Sequence, residues 1–78
     1  MPKKPCDFVK KVDGLCFHAG FRKFKIEVIE NLLEGGTECW GSTDFDLGTI
    51  YLRANADHDT ARETLIHEIT HVILAVSG

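Results

Sequence analysis

The chain has 78 residues, 44% of them hydrophobic, and a net charge of −3, enough for one small domain that sits near the lower size limit for a self-sufficient core. Its three cysteines, Cys6, Cys16 and Cys39, form no C-x-x-C pair and argue against a disulfide framework; no apolar stretch is long enough for a signal peptide or a membrane span, so a reducing, cytoplasmic setting is expected. Residues 1–25 carry seven Lys and Arg against two acids, the remainder two Arg against ten acids; the basic front lacks interleaved aromatic platforms and reads as a solvated face, so nucleic acid is not an expected partner.

In chain order, residues 1–5 read as a loose tail. Asp7 is expected to cap a short helix with Phe8, Val9, Val12 and Cys16 inward, ending around Gly14 or Gly20. Phe24, Ile26 and Val28 alternate with Lys23, Lys25 and Glu27, the period-two pattern of a strand with one buried face. Asn31 to Gly36 is rich in turn formers. Glu38 to Phe45 and Thr49 to Arg53, separated by Asp46-Leu47-Gly48, read as a hairpin with Gly48 at a position of positive φ. Phe17, Phe21, Phe24 and Phe45 are assigned to the core, Trp40 to the core or to a cross-strand pair, and His18 to the surface.

The final element is a helix starting near Asp59 or Thr60. Thr60 and Glu63 fit a capping box, Asp57 and Asp59 place negative charge at the positive end of the dipole, and residues 61–76 contain neither Pro nor Gly. Leu65, Ile69, Val72 and Val76 form its inner stripe, widened by Ile66 and Ile73, and Ser77-Gly78 supplies a stop. Strands followed by a helix, without alternation, predict an α+β domain in which a small antiparallel sheet, a strand plus a hairpin, packs on that helix.

Within this helix stands His67-Glu68-Ile69-Thr70-His71. Side chains four apart return to nearly the same face, with Cα atoms about 6 Å apart along the axis, so two imidazoles can share one metal. Zinc lowers the pKa of bound water to roughly 7, and an adjacent carboxylate can take the proton as hydroxide attacks a carbonyl. His67 and His71 are therefore the expected metal ligands, Zn2+ the cofactor, and Glu68 the catalytic base. The competing reading is an ordinary polar stripe on an amphipathic helix. Glu68 is the only formally charged residue between Thr64 and Leu74, and so apolar a setting favours the metal.

The run Thr64-Leu65-Ile66-His67-Glu68-Ile69-Thr70-His71-Val72-Ile73 resembles the extended motif of zincin metallopeptidases. Preceded by Gly41-Ser42-Thr43-Asp44-Phe45-Asp46-Leu47-Gly48-Thr49-Ile50-Tyr51-Leu52, it is similar to small phage- and prophage-encoded metallopeptidase-like proteins of the ImmA/IrrE type. The resemblance implies a zinc-dependent peptidase acting on a cytoplasmic protein, with the strand Thr49 to Arg53 beside the cleft and able to pair with an extended substrate. It also implies a third ligand, a Glu or His on a later helix. The helix reaches the end of this sequence, so a minimal or truncated zincin-like domain over residues 1–78 is the expectation. Upstream, Cys39, Asp44, His58 and His18 are of ligand type, and none has a spacing that recommends it. The alternative function is a noncatalytic interaction or regulatory module on the same scaffold; a metal-dependent nuclease using the basic front is a weaker third.

Overall fold

The computed structural model of the chain describes residues 6–30, 32–34 and 36–77; the expected tail at residues 1–5 and the Gly78 stop lie outside them. Helix α1 spans Asp7–Val12, with Cys6 extended at the cap position and making no side-chain cap bond. Asp7 is thus the first helical residue and not the cap, although its charge still favours the helix start. Cys16 is not on this helix either. The chain leaves it at Gly14, whose φ is 83°, and the next backbone groups are captured by a neighbouring strand: Gly14 N–H donates to Ile26 O and Ile26 N–H to Leu15 O, both at 2.8 Å.

Cys16–Ala19 forms β1 and Arg22–Ile29 forms β2, an antiparallel hairpin in which Ala19 faces Arg22 across a two-residue turn. The positive φ of 64° falls on Gly20, the first turn residue, as a hairpin of matching twist requires. Phe21, expected in the core, occupies the tip of this turn and is fully exposed. Phe24 and Ile26 are buried, as the alternation predicts. Two short strands, β3 (Leu33–Glu34) and β4 (Thr37–Glu38), pair with each other where turn formers suggest a loop. The expected hairpin follows as β5 (Gly41–Asp44) and β6 (Thr49–Arg53), its first arm shorter than the sequence pattern implies. Gly48 has a φ of 64°, and a Cβ there would come within 2.9 Å of Lys23 O.

The domain is α+β, with four strands in the order β1-β2-β6-β5. The β5·β6 pair is antiparallel, as expected, and so is β1·β2, whose first strand the sequence pattern does not mark, but the central β2·β6 pair is parallel, with Ile26 opposite Ile50 and Val28 opposite Leu52. Apolar alternation is the same in either orientation. Direction is set here by the chain crossing to the far edge before β5, so that β6 returns inside and runs alongside β2.

Helix α2 spans His58–Ser77. Thr60 N–H donates to Asp57 Oδ1 at 2.7 Å, so Asp57 is the cap and the helix begins slightly before the anticipated Thr60–Glu63 box. Leu65 and Val72 are buried and Ile69 and Val76 pack beside them, against Phe24, Ile26, Ile50 and Leu52 of the sheet. Each fully buried aliphatic side chain contributes about 1.5–3 kcal/mol. Val9 of α1 joins Ala56 and Ala61 in a smaller cluster at the start of α2. Ile66 and Ile73, expected to widen the buried stripe, are 59% and 52% exposed, and Leu74 is 65% exposed. The sheet is too narrow to cover more than one side of the helix, which leaves these three on the solvent side.

Candidate metal centre

At about 100° per residue, the circumference of α2 divides into four bands. Leu65 and Val72 point into the core; Thr64 and Glu68 come next, over β5; His71 and His67 follow, before the exposed strip of Ile66, Ile73 and Leu74. Both histidines are exposed and Glu68 is half-buried. The Nε2 atoms of His67 and His71 face each other at 2.9 Å, with ring centroids 4.4 Å apart and planes at 77°. The two nitrogens are at hydrogen-bond distance, and the tautomers decide which ring donates and which accepts.

Glu68 is held from the sheet. Thr43 Oγ1 donates to its Oε1 at 2.7 Å, and no protein partner for Oε2 occurs among the described residues. This bond requires α2 to lie close on β5, which Gly41 permits: a Cβ at that position would collide with Thr64 Cγ2 and come within 3.4 Å of Glu68 Cγ. Neither Thr43 nor Gly41 stands out in the sequence as a functional residue. A glycine inside the predicted strand Glu38 to Phe45 is the available signal, since it marks close approach by another element.

The other candidate ligands lie elsewhere. His18 is exposed on β1, at the opposite edge of the sheet from β5. His58 opens α2 with its ring 5.4 Å from that of Phe8. Asp44 Oδ1 accepts Leu47 N–H at 3.1 Å within the hairpin turn. Cys39, half-buried, donates its N–H to Leu32 O. Among the described residues no group of three or more His, Cys, Asp and Glu is arranged to hold a metal ion. His67 and His71 fit two positions of a zinc site, and a third described ligand is not beside them.

The strand with a free edge differs from the expected one. β6 (Thr49–Arg53), expected to pair with substrate, is hydrogen-bonded to β2 on one side and β5 on the other, which leaves no backbone for a peptide. β5 is the edge strand on the side of Glu68, and β1 is the other edge. Arg53 N–H donates to Trp40 O at 2.9 Å, which makes that pair a hydrogen-bonded one and, by antiparallel alternation, also Ser42 with Tyr51. The backbone groups of Gly41 and Thr43 therefore point to the open edge.

Phe45 is part-exposed and not a core residue, meeting Phe24 edge-on at 6.4 Å; Trp40, also part-exposed, takes the cross-strand alternative, its ring 5.3 Å from the Arg53 guanidinium carbon. No described helix is long and apolar enough to cross a membrane. Comparison with known proteins finds no matching family model, and no curated protein or solved structure that matches the chain.

Proposed function

We propose that this chain carries the core of a zinc-dependent peptidase site, with His67 and His71 as metal ligands and Glu68 as the proton-transferring group. The observation that carries the reading is the 2.9 Å convergence of the two Nε2 atoms beside a carboxylate that is anchored separately, by Thr43 at 2.7 Å. To hold a metal, both rings would carry their proton on Nδ1 and release the one shared between the Nε2 atoms. Zinc, when bound, supplies Lewis acidity and a water of lowered pKa.

The chain's own residues then have defined tasks. Thr43 fixes Glu68 Oε1 and leaves Oε2 as the oxygen that accepts a proton from water and later returns it to the departing amine. Gly41 and Thr43 offer backbone donors and acceptors to an extended substrate along β5, next to that carboxylate. A further ligand is needed to hold zinc firmly and would come from outside the described residues, in another segment or another chain.

A second reading, a noncatalytic interaction module, is favoured by the exposed strip of Ile66, Ile73 and Leu74 and by the missing third described ligand. Zinc binding discriminates between them. Titrated with Zn2+, the protein should bind about one ion per chain on the peptidase reading, and His67→Ala should lose that binding. Equal metal in both proteins, or none in either, rejects the site.

A further inference from the structure

The face of the sheet turned away from α2 carries a feature that the metal centre does not use. A concave pocket of about 600 Å³ is lined by Ile29, Leu32, Ser42, Asp44, Asp46 and Tyr51, together with Thr43 and Phe45 of the edge strand and its turn. Ile29 and Leu32 supply apolar walls. Ser42 and Tyr51, opposite each other in the β5·β6 ladder, supply hydroxyls. Among the described residues, Asp44 and Asp46 are the only charged ones in the lining, and both are acidic. The cations around it are engaged: Arg22 donates to Phe45 O, the Arg53 guanidinium lies over the Trp40 ring, and Lys25 is paired with Glu27 at 3.2 Å.

We propose that this pocket is a subsite for a lysine or arginine side chain of an extended polypeptide paired with the free edge of β5. The proposal rests on the reading of β5 as the substrate-pairing strand. A strand laid against Gly41 and Thr43 sends successive side chains to opposite faces of the sheet. Residues turned to one face meet Glu68 and the histidine pair; the alternate ones pass under β5 into the pocket. Ile29, Leu32 and the Tyr51 ring pack on the aliphatic stem, and Asp44 and Asp46 face the cationic head, with the hydroxyls as further acceptors. An acidic side chain would meet two like charges there, so the pocket selects by repulsion as well as attraction.

The test is peptide binding by the full chain in the presence of a chelator, which suppresses cleavage and makes the readout independent of zinc. Fluorescein-labelled peptides of Thr, Val and Ser with one central Lys, norleucine or Glu are compared by anisotropy. The Lys peptide should bind about two- to fivefold more tightly than the norleucine peptide, the range for part-exposed charge pairing, and the Glu peptide most weakly. Asp44→Asn with Asp46→Asn should erase the Lys preference while keeping affinity for norleucine; Asn at 44 retains the acceptor for Leu47 N–H, so the turn survives, as circular dichroism would verify. Equal binding of the three peptides by the wild type, a preference that persists in the double variant, or no binding at all would each overturn the proposal. A protein that binds no zinc yet shows the Lys preference would sink the metal centre and leave this subsite standing.

Discussion

Thr43 and Glu68 join the edge of the sheet to the middle of α2 through one hydrogen bond of 2.7 Å. The bond does two things at once: it ties down β5, a strand paired on one side only, and it sets the direction of the carboxylate next to His67. Thr43→Val keeps the shape and removes the donor. It should lower stability by about 1–2 kcal/mol in urea titration, with Thr43→Ser recovering most of the loss. A valine variant as stable as wild type would mean that the bond is not formed in solution.

Gly41 is the position at which that contact becomes possible. A methyl group there meets Thr64 Cγ2, so Gly41→Ala should cost roughly 1–3 kcal/mol by overpacking. The one contact under 3 Å is with the Thr64 methyl, while Tyr51 O, at 3.3 Å, adds a milder backbone contact. Combining Gly41→Ala with Thr64→Ser removes that methyl and should restore a substantial part of the loss, a coupling readable from a double-mutant cycle. Strict additivity of the two changes would place the strain elsewhere.

Gly48 faces a backbone atom, and no such rescue exists. Its φ is 64°, and a Cβ added to it would lie 2.9 Å from Lys23 O. Gly48→Ala should therefore destabilise by more than about 1 kcal/mol, and no side-chain substitution nearby should compensate. Thermal melts of the single variant and of its combination with Lys23→Ala test this, the two losses being expected to add.

On α2, neighbours in sequence should respond in opposite ways. Val72 is fully buried, whereas Leu74 is 65% exposed. Val72→Ala should cost about 1–3 kcal/mol, and Leu74→Lys should change stability by less than about 0.5 kcal/mol. If Leu74→Lys instead unfolds the protein or shifts its size in solution, the strip it shares with Ile66 and Ile73 is covered by something in the native state.

Replacing Glu68 by Gln separates metal binding from chemistry. Glu68→Gln keeps an acceptor for Thr43 Oγ1, so fold and zinc content should match wild type, while peptide cleavage should fall by about 10²-fold or more, the usual contribution of a general base. Undiminished cleavage by this variant would remove Glu68 from the mechanism.

Local chemistry makes several elements readable in one dimension. Alternation exposes β2, because a strand with one wet face repeats every two residues. Turn residues locate the β5–β6 hairpin and its Gly48. The four-residue interval between His67 and His71 brings two imidazoles to one side of a helix, since helical geometry alone dictates that spacing. The parallel pairing of β2 with β6, the burial of β6 between two neighbours and the passing of the edge role to β5 depend on where a distant part of the chain crosses the sheet, and no short-range pattern encodes that. The same holds for Ile66 and Ile73: periodicity marks them as apolar, but only the width of the sheet beneath α2 determines that they stay in water. Thr43 became a partner of Glu68 for the same reason. Two residues 25 apart in the chain meet when packing brings helix and strand together, and Gly41 sets how closely they can approach.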